Sequence, residues 1–79
     1  MQTIHTTKEL QALIREHLEK LELTAQSIRD GTAKNPFPVG RRNVLELYGG
    51  RDVSLNIRAR LTKFFNAEKQ QHEQTSKAR

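Results

Sequence analysis

The chain has 79 residues, no cysteine and a formal net charge of +5, which excludes disulfides and thiolate metal sites and bounds it to one domain with one modest core. Apolar residues make up 34% of it, so the core supplies only about 3–5 kcal/mol of net stability, and no run approaches the ~18 apolar residues of a membrane span. The charge is uneven: residues 1–28 carry three basic side chains against four acidic ones, and residues 29–79 carry eleven against five.

The N-terminal MQTIHTTKELQ lacks the basic start and apolar stretch of a secretory signal, so a cytoplasmic protein is expected. Thr6-Thr7-Lys8-Glu9 reads as a capping box, in which Thr6 and Glu9 satisfy each other's backbone amides. Behind it Leu10, Leu13, Ile14, Leu18 and Leu21 fall at helical spacing, with Ala25 and Ile28 extending the stripe. Arg15, Glu16, Glu19 and Lys20 occupy the opposite face. Two parses fit this pattern. One helix runs from Thr7 to Asp30, or the helix breaks near Glu22–Thr24 and Thr24 caps a second, short one. Gly31 suits the position just past a helix end.

Residues 31–40, GTAKNPFPVG, read as a loop in which Pro36 and Pro38 hold their predecessors extended. Phe37 and Val39 are its expected anchors in the core. A short helix follows from Gly40 to Tyr48, with Val44, Leu47 and Tyr48 on one face and Gly49-Gly50 as its stop. The last helix is capped by Asp52 or Ser54 and carries Val53, Ile57, Leu61 and Phe64, flanked by Phe65. From Lys69 onward no side chain is both apolar and larger than alanine. The expected fold is therefore all-α: a small bundle of three to four helices with a proline-containing loop (31–40). Residues 1–68 form a single helical domain, and residues 69–79 a disordered, flexible tail.

Little supports catalysis. His5, His17 and His72 are scattered across the lead, the first helix and the tail, with no spacing suited to a metal. His17 lies beside the apolar stripe, where a half-buried or interface histidine is the ordinary reading. Gly49-Gly50 has no Lys-Ser/Thr after it and no strand before it, so it is a helix stop and not a phosphate loop. No enzyme activity, metal or cofactor is expected.

The basic residues carry more. Surplus positive charge on one part of a small protein is the footprint of a chain that meets phosphates, or of one that meets an acidic protein surface. Arg41, Arg42 and Asn43 begin the short third helix, where free amides and the positive dipole end favour an anion. Arginine and asparagine also suit bidentate contacts with guanine and adenine edges. Arg51, Arg58, Arg60 and Lys63 are placed to clamp phosphates. A solvated helix end accounts for the same triplet equally well. Phe64 and Phe65 are adjacent, so one of them must face outward. That ring, taken as Phe65, and Leu45 form the expected homodimer contact.

With the first helix broken, the order of elements resembles the phage-repressor (Cro and lambda-repressor-like) helix-turn-helix family. LIREHLEKLELTAQSI is similar to that family's first helix and the lead-in to its second, VGRRNVLELYGG to its recognition helix, and RDVSLNIRARLTKFF to its fourth helix. The resemblance covers residues 10–65. It implies recognition side chains at Arg41, Arg42, Asn43 and Glu46. The chain departs from the family in placing a proline-bearing loop where a tight turn joins the second and third helices. A fainter similarity, GTAKNPFPVG with the later Gly49-Gly50, is to ribosome modulation factor-like proteins, which bind ribosomal RNA; the tryptophans common in that family are missing here.

These readings point first to a small DNA-binding transcriptional regulator of the phage, plasmid or bacterial type, a homodimer that inserts a helix in the major groove of double-stranded DNA. The alternative is a protein–protein module, a small inhibitor or adaptor, using the amphipathic helix of residues 7–30 and an acidic partner. RNA or ribosome binding is the third reading. An unbroken helix through Thr24 favours the adaptor, and a break there favours DNA.

Overall fold

In the computed structural model, residues 3–77 are described, with side chains to Glu68. They form four helices: α1 (Thr7–Lys20), α2 (Ala25–Arg29), α3 (Arg41–Tyr48) and α4 (Leu55–Lys77). No strand occurs among the described residues, and none of the helices is long and apolar enough to cross a membrane.

Helix α1 starts as its sequence dictates. Thr6 Oγ1 accepts from the Glu9 amide at 3.2 Å, and the Glu9 carboxylate accepts from the Thr6 amide at 3.3 Å. Leu10, Ile14 and Leu18 are its buried stripe. The helix then breaks, in favour of the second parse. Leu23 N–H donates to Leu18 O at 2.8 Å and Glu22 N–H to Glu19 O at 3.0 Å, with Glu22 at φ 59°. This pair of bonds around one left-handed residue is a Schellman closure. Thr24 starts α2 with its own capping box, accepting from the Ser27 amide at 3.0 Å.

The same closure ends the next two helices. After α2, Thr32 N–H reaches Ser27 O (2.9 Å) and Gly31 N–H reaches Ile28 O (3.2 Å), with Gly31 at φ 77°. After α3, Arg51 N–H reaches Glu46 O (2.8 Å) and Gly50 N–H reaches Leu47 O (2.9 Å), with Gly50 at φ 89°. The left-handed residue is glycine in two of the three, where the absence of Cβ makes that conformation cheap.

Between α2 and α3 the chain folds around Asn35. Its Oδ1 accepts from the Phe37 amide at 3.1 Å and its Nδ2 donates to the Val39 carbonyl at 2.5 Å. Phe37 and Val39 are thereby turned into the core, 5% and 7% exposed, as their position between the prolines predicts. The peptide bonds before Pro36 and Pro38 are trans. Ser54 caps α4, accepting from the Ile57 amide at 3.4 Å. Asp52 instead accepts a hydrogen bond from the Thr7 hydroxyl and ties the start of α1 to the lead into α4. No glycine or proline follows Gly50, so nothing in the sequence breaks α4 before Lys77. The expected tail over 69–79 falls beyond the described side chains, as does His72.

Helix α3 packs against α1 and α2, and α4 packs against α1. The core joins Leu10, Ile14 and Leu18 to Ile28, Phe37, Val39, Val44, Leu47, Leu61 and Phe65. Arg15 lies 5.0 Å over the Tyr48 ring and Gln11 Nε2 donates to the Tyr48 carbonyl at 2.9 Å, both holding α3 to α1. The buried Thr62 hydroxyl accepts from the His5 amide at 2.9 Å. His17 is half-buried in an aromatic cluster, its ring 5.3 Å from Phe37, 5.6 Å from Phe64 and 6.0 Å from Phe65. Its Nδ1 lies 3.2 Å from a Glu68 oxygen.

One expectation is corrected here. Phe65 is 8% exposed and belongs to the core, so it is not the outward ring. It follows Leu61 by four residues and shares its face of α4, whereas Phe64 sits at the edge of that face and is the more exposed of the two.

Candidate nucleic-acid interface

The predicted basic residues divide into three groups. Arg41, Arg42 and Arg51 come together, Arg58 lies elsewhere, and Arg60 and Lys63 are exposed along α4. The first group is joined by Arg29, which the sequence reading does not single out. With Leu45, Glu46 and Gly49, these four arginines line a shallow surface hollow of about 530 Å³.

Local structure explains the gathering. Arg29 is the last residue of α2, and Arg41 and Arg42 are the first two of α3. Arg41 Nη1 donates to the Ile28 carbonyl at 3.4 Å, which draws the two helix ends together. Arg51 follows the α3 stop, and the bond from its amide to Glu46 O folds it back beside the helix. The signal for Arg29 was in the Thr24 cap: once the helix breaks there, residue 29 falls at the end of a short helix and not midway along a long one.

The four guanidinium groups do not play equal parts. Arg41 is committed to the α2 terminus. The Arg42 side chain is 90% exposed, its Nε 3.4 Å from Glu46 Oε1. A surface ion pair of that kind is worth about 0–1 kcal/mol, so a phosphate or base edge can displace it. Gly40 caps α3 without a side-chain acceptor, which leaves the first-turn amides open to an anion. Asn43 is half-buried in that first turn, and Leu45 is half-buried in the hollow among the arginines. Of the two residues expected at a dimer contact, Leu45 thus lies beside the basic hollow and Phe65 in the core.

Arg58 sits with Lys8 in a separate hollow of about 570 Å³ at the start of α1, together with Thr6, Thr7, Asp52 and Val53. Asp52 there offsets part of the positive charge. Nearby, bonds from the Thr6 amide and from His5 hold the Glu9 carboxyl below the usual glutamate range. Among the described residues no group of three or more His, Asp or Glu side chains is placed to hold a metal ion.

The break between α1 and α2 lies where the helix-turn-helix resemblance requires it. Helix α2 has only five residues, however, and residues 30–40 stand in place of the tight turn. No family model, curated protein or solved structure matches the chain.

Proposed function

We propose that this protein is a small cytoplasmic DNA-binding regulator of the phage, plasmid or bacterial type, which presents α3 to the major groove and acts by occupying its site. The observation that carries the reading is the convergence of Arg29, Arg41, Arg42 and Arg51 around α3, with Glu46 the one acidic side chain among the described residues that line the hollow. Positive charge concentrated at one short helix, from separate parts of the chain, is what polyphosphate binding requires. The break at Glu22–Thr24 further favours DNA over an adaptor built on one long first helix.

Within this reading Arg42 and Asn43 face base edges and Arg29 and Arg51 hold phosphates on either side. The division follows from their places: Arg42 and Asn43 are in the first turn of α3, whereas Arg29 and Arg51 belong to the flanking segments. Phosphate contacts set position and base contacts set specificity.

The test is a titration of duplex DNA and of structured RNA from low to physiological salt. Duplex binding that weakens steeply with salt supports the reading, and the same titration gives the number of chains per site. Preference for structured RNA replaces it with the RNA-binding alternative. No binding to either at low salt removes nucleic acid as the partner.

A further inference from the structure

The surface between α1 and α4 has the opposite character to the arginine hollow. A groove of about 560 Å³ runs there, with Ala12, Leu13 and Phe65 contributing apolar surface and Glu9, Glu16 and Glu68 contributing charge. Leu13 is only half-buried although it packs against the core. Ala12 beside it is exposed. The polar side chains of the groove are arranged in pairs: His5 Nδ1 lies 3.1 Å from a Glu9 oxygen, and His17 Nδ1 lies 3.2 Å from a Glu68 oxygen. Among the described residues Glu16 has no such pairing, and Lys20 is the one fully cationic side chain in the lining.

In a chain of net charge +5, carboxylates gathered around exposed apolar surface select against most occupants. Nucleic acid and anionic lipid are repelled by them. A second copy seated about a two-fold axis would set this acidic patch against itself, because such a contact uses one patch twice. The occupant that complements the groove is both apolar and cationic. Two helices side by side also leave a furrow shaped for a third helix, whose apolar residues at i, i+3 and i+4 descend between them.

We propose that the α1–α4 groove is a docking surface for a basic amphipathic helix of a partner protein. An apolar side chain of that helix lies over Ala12 and Leu13, and lysine or arginine residues flanking it meet Glu9, Glu16 and Glu68. The groove shares no residue with the arginine hollow, so the partner and a nucleic acid can be held at once. The inference stands on the groove alone and does not depend on the DNA reading.

Nitrogen-15 NMR of the full chain, titrated with a synthetic Leu/Lys amphipathic helical peptide and with its Leu/Glu counterpart, tests this directly. The Leu/Lys peptide is expected to give saturable shifts centred on Leu13, Glu16, Phe65 and Glu68, and the Leu/Glu peptide none. Ala12→Arg, at an exposed position, should abolish the saturable shifts by filling the groove with bulk and like charge. Glu16→Lys should weaken binding by about fivefold, the worth of one surface charge contact. Either variant with an unchanged spectrum elsewhere is still folded. Absence of saturable shifts, equal response to both peptides, shifts that persist in Ala12→Arg, or dimerisation that consumes the groove would each overturn the proposal.

Discussion

Arg41 Nη1 lies 3.4 Å from the Ile28 carbonyl oxygen, so the first residue of α3 closes the last turn of α2. Its neighbour Arg42 makes no such contact and projects from the same turn with its side chain 90% exposed. Two adjacent exposed arginines thus have separate work, one tied to the end of α2 and one projecting into solvent.

Alanine at each position should part these roles. Arg41→Ala is expected to lower stability by about 0.5–1 kcal/mol, the net worth of one hydrogen bond. Arg42→Ala should leave stability within about 0.5 kcal/mol and cost about 1–3 kcal/mol in binding to a preferred site. Urea unfolding of both variants reads the first effect. Binding to a panel of duplexes reads the second, and specificity should relax at one base position.

Arg29 and Arg51 should behave as phosphate clamps. Arg29→Ala and Arg51→Ala are each expected to weaken binding evenly across sequences. Each should also reduce the slope of log K against log salt by about 0.9, the contribution of one phosphate contact to duplex DNA. An unchanged slope in either variant would remove that residue from the interface.

Glu22 carries the cost of the break between α1 and α2. At φ 59° a residue with a Cβ is disfavoured by about 1–2 kcal/mol. Glu22→Gly relieves this in the folded state while adding freedom to the unfolded one, so a net gain of about 0.5–1 kcal/mol is expected. Thermal and urea unfolding measure it. No gain would mean that the Glu22 side chain compensates for its backbone.

That position also marks the limit of what could be read from residues alone. All three closures use the same two hydrogen bonds, yet only Gly31 and Gly50 advertise them. Glycine after an apolar stripe is a readable stop, whereas glutamate in the same role is silent, so the helical period alone left the first helix whole or broken. The Thr6 and Thr24 caps and the Phe37 and Val39 anchors were legible because each rests on local chemistry. Of the arginine hollow, Arg41, Arg42 and Arg51 were legible from their place beside α3. For Arg29 the Thr24 cap signals only its place at the end of a short helix; its nearness to α3 depends on the path of residues 30–40. The inward ring of the Phe64–Phe65 pair is not legible, because adjacent rings do not reveal which shares the face of Leu61.

The capping box of α1 makes a pH-dependent contribution with a definite sign. The Glu9 carboxyl is held below its ordinary range by the Thr6 amide first and by His5 second. The folded state therefore prefers the carboxylate. Its contribution is complete above the ordinary glutamate value and is lost as pH falls through the lowered one. Glu9→Gln should flatten that part of the acid unfolding profile. Thr6→Ala should cost about 1 kcal/mol at neutral pH.

Phe37→Ala is expected to cost about 3–5 kcal/mol, as for other buried aromatic truncations. That equals the whole net stability estimated for a core of this size. The variant should be largely unfolded at 25 °C by circular dichroism, with Lys34→Ala, exposed in the same loop, as the folded control.

Connections between helices are ordinarily where a chain tolerates an insertion, a tag or a nick. The segment 30–40 is the longest connection between helices here, and its Phe37 ring sits 5.3 Å from His17 on α1 and 5.8 Å from Phe65 on α4. It plugs the space between two helices to which it is not directly joined. Trimming it to the tight turn of a helix-turn-helix would pull that plug, and padding it would move Asn35 away from the carbonyl that holds the ring in place. A reporter spliced into the shorter connections, 21–24 or 49–54, should be tolerated better than one in the longest loop.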